Sequence, residues 1–137
     1  MKKRTPVAKI MTSSPISVNL RNGIGDVVQI FADHNIHHLP VVSGDRLIGM
    51  ISKTDIERIS YVEGYDEGGV TTMVNEMLTL EQVMTKQVET IQVDDQIKEA
   101  AQMLAKGEYH ALPVLDGQQL TGIVTSTDVI KYLLAQF

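Results

Sequence analysis

The stretch "HHLPVVSGDRLIGMISKTDI", His37 to Ile56, returns 73 residues later as "HALPVLDGQQLTGIVTSTDV", His110 to Val129. Repetition at a fixed spacing marks a duplicated structural unit. Working outward, the same offset places Met11-Thr12 on Met84-Thr85, Ile24 on Ile97, Gln29 on Gln102 and Ala32 on Ala105. Inside the stretch, His37, Leu39, Pro40 and Val41 fall on His110, Leu112, Pro113 and Val114. Gly44, Leu47, Gly49, Thr54 and Asp55 fall on Gly117, Leu120, Gly122, Thr127 and Asp128. No gap is needed from residue 10 to residue 60, so one supersecondary unit is written twice.

Within each copy the hydrophobic period changes in a fixed order. "PISVNL" and "VETIQV" alternate like short strands, and Asn22 or Asp95 offers a cap for the helix that follows. That helix carries Ile24, Val27, Val28 and Phe31 in one copy and Ile97, Ala100, Ala101 and Leu104 in the other, an i, i+3, i+4, i+7 stripe that buries one face. "HHLPVV" and "HALPVL" then read as strands, "SGDR" and "DGQQ" as turns, and "LIGMIS" and "LTGIVT" as returning strands. A last helix begins at about Lys53 or Ser126. The fold class is therefore mixed α and β: two pseudo-symmetric β-α-β-β-α repeats, 7–60 and 80–137, packed through their sheets. Between them, 61–79 reads as a flexible linker, "YVEGYDEGG", followed by a short amphipathic helix, "VTTMVNEML", whose methionines suit core or dimer packing. Thr79 and Gln82 form the pattern of a capping box.

Composition narrows the function classes. With 137 residues the chain is one domain or two half-domains that share a core. It has no cysteine, which excludes disulfides, thiolate nucleophiles and cysteine-ligated metals. A net charge of -5 argues against a nucleic-acid partner. No apolar run is long enough to span a bilayer, and Lys9 interrupts the only N-terminal stretch that resembles a leader, so a cytoplasmic location without membrane attachment is expected. There is no nucleophile elbow or phosphate-binding loop, so an enzyme is not expected.

The chemistry sits in "GMISKTD" and "GIVTSTD", Gly49 to Asp55 and Gly122 to Asp128. Capping alone accounts for part of it: Ser52 or Thr125 is an N-cap hydroxyl, and Asp55 or Asp128 is the acid three residues on. Two details go further. The usual acid there is Glu or Gln, and a shorter Asp chosen twice suggests a carboxylate with another task. Gly49 and Gly122 lie inside apolar strands, where glycine commonly marks close approach of a ligand or of another backbone. A carboxylate and a hydroxyl at a helix start can take both hydroxyls of a ribose, while the helix N-terminus favours an anion. A metal reading of "HNIHH" through His34, His37 and His38 is weak, because adjacent strand residues face opposite ways.

In order, at one spacing and twice, "IMTSSPISV" with "VMTKQVETI", the two His-x-Leu-Pro strands and the two glycine-to-aspartate motifs make the chain resemble a tandem of cystathionine-β-synthase (CBS) domains, the Bateman module. The resemblance implies a regulatory module that needs no cofactor but senses AMP, ADP, ATP or S-adenosylmethionine in clefts between the repeats. It implies a homodimer of such pairs, with the apolar rows of "VTTMVNEML" and "VIKYLLAQF" as local reasons, and an unknown regulated protein as partner. It assigns Asp55 and Asp128 to the ribose and Ser52 and Thr125 to the ribose and phosphate, with Thr54 and Thr127 beside the aspartates as further ligand-binding residues. Adenine is expected against Ile16, Met50 and Ile51 in one copy and Val88, Ile123 and Val124 in the other. His37 and His110 are candidate phosphate contacts. His38 stands where relatives can carry Arg, whereas Ala111 in the second copy has no charge. The competing reading is a ligand-free interaction scaffold.

Overall fold

The computed structural model describes residues 4–62 and 78–137. The amphipathic stretch "VTTMVNEML", apart from Leu78, and most of the acidic segment before it therefore lie outside the described residues. The elements, in chain order, are β1 (Thr12–Ser13), α1 (Ile24–Asp33), β2 (His38–Ser43), β3 (Arg46–Ser52), α2 (Lys53–Val62), α3 (Leu80–Val83), β4 (Ile91–Gln92), α4 (Ile97–Leu104), β5 (Ala111–Asp116), β6 (Gln119–Thr125) and α5 (Ser126–Leu134). The mixed α+β class read from the sequence is the one observed.

The chain forms two compact units, and they cut across the sequence copies. One contains Ile16–Gln87; the other joins Met1–Pro15 to Val88–Phe137. In the first unit, β2 and β3 form an antiparallel hairpin in which Pro40 faces Met50 and Val41 faces Gly49, with an irregularity between Val41 and Val42. The partner at its edge is not the preceding segment but the start of the second copy: Met50 N–H donates to Thr85 O at 2.9 Å, and Thr85 N–H to Met50 O at 2.8 Å. Val18, Ile24, Val27, Phe31, Leu39, Val41, Ile51, Ile56, Leu80 and Met84 make its core.

The second unit repeats the plan. In the β5-β6 hairpin, Pro113 faces Ile123 and Val114 faces Gly122, with the irregularity at the matching place, between Val114 and Leu115. Here β1, from the chain's beginning, pairs antiparallel with β6 through Thr12 and Ile123. Val7, Ile91, Ala100, Leu104, Leu112, Val114, Val124 and Val129 form the core. Because apolar burial is the main favourable term, placing Val7 at full burial there fixes the N-terminal segment to the second copy.

Three local expectations differ from the structure. "PISVNL" is not a strand but a single parallel bridge, Val18 to Val41. Asn19 and Asn22 draw the chain into a turn instead, with Asn19 N–H on Asn22 Oδ1 at 3.0 Å and Arg21 N–H on Asn19 Oδ1 at 2.8 Å. This is the usual way Asn competes with a ladder. "VETIQV" contracts to β4, which runs parallel to β5. The caps of α1 and α4 are Gly23 and Gln96, one residue later than expected. Asp26 Oδ2 accepts from Gly23 N–H at 2.9 Å, whereas Asp95 Oδ2 accepts from Gln92 N–H at 2.9 Å and so serves the preceding turn. The box at Thr79 and Gln82 is present: Thr79 N–H reaches Gln82 Oε1 at 2.8 Å, and Gln82 N–H reaches Thr79 Oγ1 at 3.3 Å.

Candidate functional site

Each hairpin delivers its second strand into a helix with no intervening loop, which places the motif hydroxyl and carboxylate at the junction. In the first unit Ser52 ends β3 and Asp55 lies in the first turn of α2. Asp55 N–H donates to Ser52 Oγ at 3.1 Å, and Ser52 N–H to Asp55 Oδ2 at 2.9 Å. In the second unit Asp128 N–H donates to Thr125 Oγ1 at 3.1 Å, and Thr125 N–H to Asp128 Oδ2 at 2.8 Å. The reciprocal capping box thus forms twice, and the shorter Asp completes it as Glu would. The next free helix amide is also satisfied in both copies, Lys53 N–H by His37 O at 2.9 Å and Ser126 N–H by His110 O at 3.0 Å. The repeated histidine position therefore contributes its carbonyl to the junction.

Capping occupies one oxygen of each carboxylate, and the two copies differ in the other. Asp55 Oδ1 lies 3.5 Å from the guanidinium of Arg58. Asp128 Oδ1 has no hydrogen-bond or ionic partner among the described residues, and Asp128 is half-buried. Arg58 was not among the residues the motif singled out. Its signal was available, since the position three after the aspartate is basic in both copies, Arg58 and Lys131.

The remaining predicted residues separate into groups. Thr54 and Thr127 are exposed in the first helical turns. The side chains of His37 and His110 are exposed, and His38 is half-buried at the start of β2. Met50 and Ile123 are largely buried, while Ile51 and Val124 are fully buried members of the two cores, so a ligand would meet Ile51 and Val124 only through their backbone. Ile16 is exposed and Val88 half-buried. No group of three metal-ligating side chains occurs among the described residues.

The two strand glycines have an internal explanation. A Cβ on Gly49 would lie 2.5 Å from Met84 Sδ and 3.0 Å from Thr85 O; one on Gly122 would lie 2.5 Å from Met11 Sδ and 2.9 Å from Thr12 O. The close approach read from the sequence is made by the chain itself. The repeated Met-Thr pair covers the repeated glycine, each time with the Met-Thr and glycine drawn from different copies. No helix among the described residues is long and apolar enough to cross a membrane.

Comparison with known proteins agrees with this architecture. The CBS domain model matches residues 7–61 and 80–135. An uncharacterised protein of Methanocaldococcus jannaschii is 30% identical over 96% of this chain and 32% of its own length. A homoserine O-acetyltransferase of Methanocorpusculum labreanum is 32% identical over 88% of this chain and 22% of its own length. The chain thus spans about a third or less of these relatives. Among solved structures, the CBS domain pair of protein MJ0100, in complex with 5'-methylthioadenosine and S-adenosyl-L-methionine, superposes with a TM-score of 0.80 at 27% identity, covering 97% of this chain and 98% of that one.

Proposed function

Since the chain belongs to the CBS domain family and carries two such domains in tandem, we propose that it is a regulatory module that binds adenosine-containing ligands rather than transforming them. The observation that carries the reading is Asp128: its Oδ2 is held by Thr125 N–H at 2.8 Å, which fixes the carboxylate and leaves Oδ1 as an acceptor without a protein partner among the described residues. A ribose diol supplies the hydroxyl donors such an oxygen lacks, and a charged acceptor makes these bonds strong. Met50 and Ile123 offer apolar surface for adenine beside the motif. The exposed imidazoles of His37 and His110, with Lys53 in the first copy, supply donors for phosphate where the ligand has one. The ligands held by the pair of MJ0100 support the adenosine class; AMP, ADP, ATP and S-adenosylmethionine are the set to test.

The two motifs are not equivalent. At Asp55 a ribose must share or displace Arg58, whereas at Asp128 it displaces no side chain among the described residues, so the Asp128 motif fills first. Calorimetric titration with AMP and 2'-deoxy-AMP is the test. The deoxy analogue leaves a charged acceptor short of a donor and should bind more weakly by about 1.5–3 kcal/mol. Equal affinities would remove the ribose assignment.

The second reading, an interaction scaffold without a ligand, is favoured by one observation: at Asp55 both carboxylate oxygens already have protein partners. A thermal-shift screen separates the two. Ligand at 100 times its dissociation constant adds about 2.7 kcal/mol to stability, and no shift with any of the four would leave the scaffold. The regulated protein is a partner or a fused domain, in keeping with the greater length of the relatives.

A further inference from the structure

At the turn end of the first unit, opposite along the β2-β3 hairpin from Asp55, lies a groove of about 280 Å³ lined by Asn19, Leu20, Arg21, Val42, Ser43 and Gly44. The second copy shows what this place is built to hold. There Gln92, the counterpart of Asn19, lays its side-chain amide across the hairpin turn: Nε2 donates to Gly117 O at 3.1 Å, and Gly117 N–H donates to Oε1 at 3.0 Å. One residue on, Val93 N–H donates to Leu115 O at 2.8 Å and holds the segment against β5. None of the three bonds has a counterpart in the first unit among the described residues. Asn19 is one methylene too short to repeat the span, and its Oδ1 is already engaged by Arg21 N–H. Leu20, the counterpart of the half-buried Val93, is 47% exposed, and the turn amide and carbonyl of Gly44 have no protein partners among the described residues.

We propose that this groove is a recognition site for the side-chain carboxamide of a Gln or Asn on an acidic peptide segment of a partner protein. The carboxamide part follows from Gln92. A primary amide presents a donor and an acceptor side by side, which is what the N–H and C=O of one turn glycine require; a trans peptide group points its two in opposite directions. The acidic part follows from the charge substitution between copies. Where the filled site has Asp94, the open one has Arg21, whose guanidinium makes no ion pair among the described residues, and the acidic Asp116 is replaced by Ser43. An arginine at the rim of a groove selects a carboxylate and adds a planar, two-point contact. The site is distinct from the two aspartate motifs and stands or falls without the adenosine reading.

The test is an amide-resolved NMR titration of the whole chain with the capped dipeptide acetyl-Gln-Asp N-methylamide. Saturable shifts are expected at Leu20, Arg21 and Gly44, with Gly117 unmoved because Gln92 already occupies its groups. Replacing Gln by Ala in the probe should weaken binding roughly tenfold, the worth of one or two lost hydrogen bonds. Asn19→Gln should abolish binding by letting the protein fill its own groove, and the Gly44 amide of that variant should move toward the environment of Gly117. Arg21→Gln should weaken the acidic probe while leaving its neutral acetyl-Gln-Asn analogue unchanged. Absence of shifts at Gly44, equal shifts at Gly117, equal binding of the Ala probe, or undiminished binding to Asn19→Gln would each overturn the carboxamide site. An Arg21→Gln variant that binds the acidic probe as before would overturn its acidic specificity.

Discussion

Gly122→Ala tests the crossed packing most directly, because ordinary strand propensity predicts the opposite sign. An alanine in an unobstructed strand position should stabilise by about 0.5–1 kcal/mol relative to glycine. Here the added methyl would meet Met11 Sδ at 2.5 Å, Met11 Cγ at 3.0 Å and Thr12 O at 2.9 Å. The sulfur can swing aside, but Cγ sits next to the backbone, and the carbonyl belongs to β1 and cannot move without disturbing its pairing with β6. Overpacking of this kind costs about 1–3 kcal/mol. At Gly49 the corresponding contacts are Met84 Sδ at 2.5 Å, Thr85 O at 3.0 Å and the terminal Met84 Cε at 3.1 Å, so more of the clash falls on movable atoms and Gly49→Ala should cost less. Urea denaturation of Gly122→Ala, Met11→Ala and the double variant gives the coupling. Removing the thioether should recover part of the loss, while the part due to Thr12 O persists. A neutral or stabilising Gly122→Ala, or strictly additive effects, would refute the claim that Met11 and Thr12 dictate the glycine.

Other consequences follow from the same contacts. Thr125→Ala removes the acceptor for Asp128 N–H and should cost about 1 kcal/mol by thermal denaturation, the usual worth of an N-cap, with or without ligand. Gln92→Ala breaks both bonds to Gly117 and should cost about 1–2 kcal/mol, whereas Asn19→Ala should leave the Gly44 turn unaffected; hydrogen exchange at the two glycines reads the difference. The C-terminal helix exposes Ile130, Leu133 and Leu134, with Leu134 at 65%, and Phe137 stands beyond them. If that row pairs two copies, Leu134→Asp should convert a dimer to a monomer in light scattering, and a parent chain of monomer mass at every concentration would remove the dimer proposal.

What could be read from the sequence, and what could not, follows from the range of the interactions involved. The hairpins, the starts of α2 and α5 and the apolar stripes of α1 and α4 depend on neighbours close in sequence, the widest reach being that of Lys53 N–H to His37 O, and the repeated patterns expose them. The caps moved by one residue because Gly23 and Gln96 rely on the acids Asp26 and Glu99 rather than on a side chain of their own. That preference competes closely with Asn22 and Asp95, and composition does not settle it. At the candidate site, the Ser/Thr-to-Asp geometry was fully legible, whereas the tie from Asp55 to Arg58 depends on which side-chain rotamer reaches the carboxylate.

The crossing of segments was hidden for a different reason. Met11-Thr12 and Met84-Thr85 are identical, and so are Gly49 and Gly122, so the motif pattern fits equally well whether each pair closes on its own copy or on the other. Pairing within a copy closes a loop of about 40 residues; from Thr12 to Ile123 the loop is over 100. Loop-closure entropy grows only with the logarithm of length, so the longer closure costs less than about 1 kcal/mol more. Val7 in the second unit and its counterpart Leu80 in the first are both buried in the crossed arrangement, and full burial of such a side chain is worth roughly 1.5–3 kcal/mol. The consequence is reciprocal: the first copy's hairpin is completed by residues 80–87, and the second's by residues 4–15. Cutting the chain at the sequence boundary would therefore leave both hairpins without their edge partners. An isolated first copy lacks Met84 over Gly49 and Leu80 in its core, and an isolated second copy lacks Val7 and Met11. Each compact unit is thus built from segments of both copies, and a ligand that stabilised one motif would act on a unit to which both copies contribute.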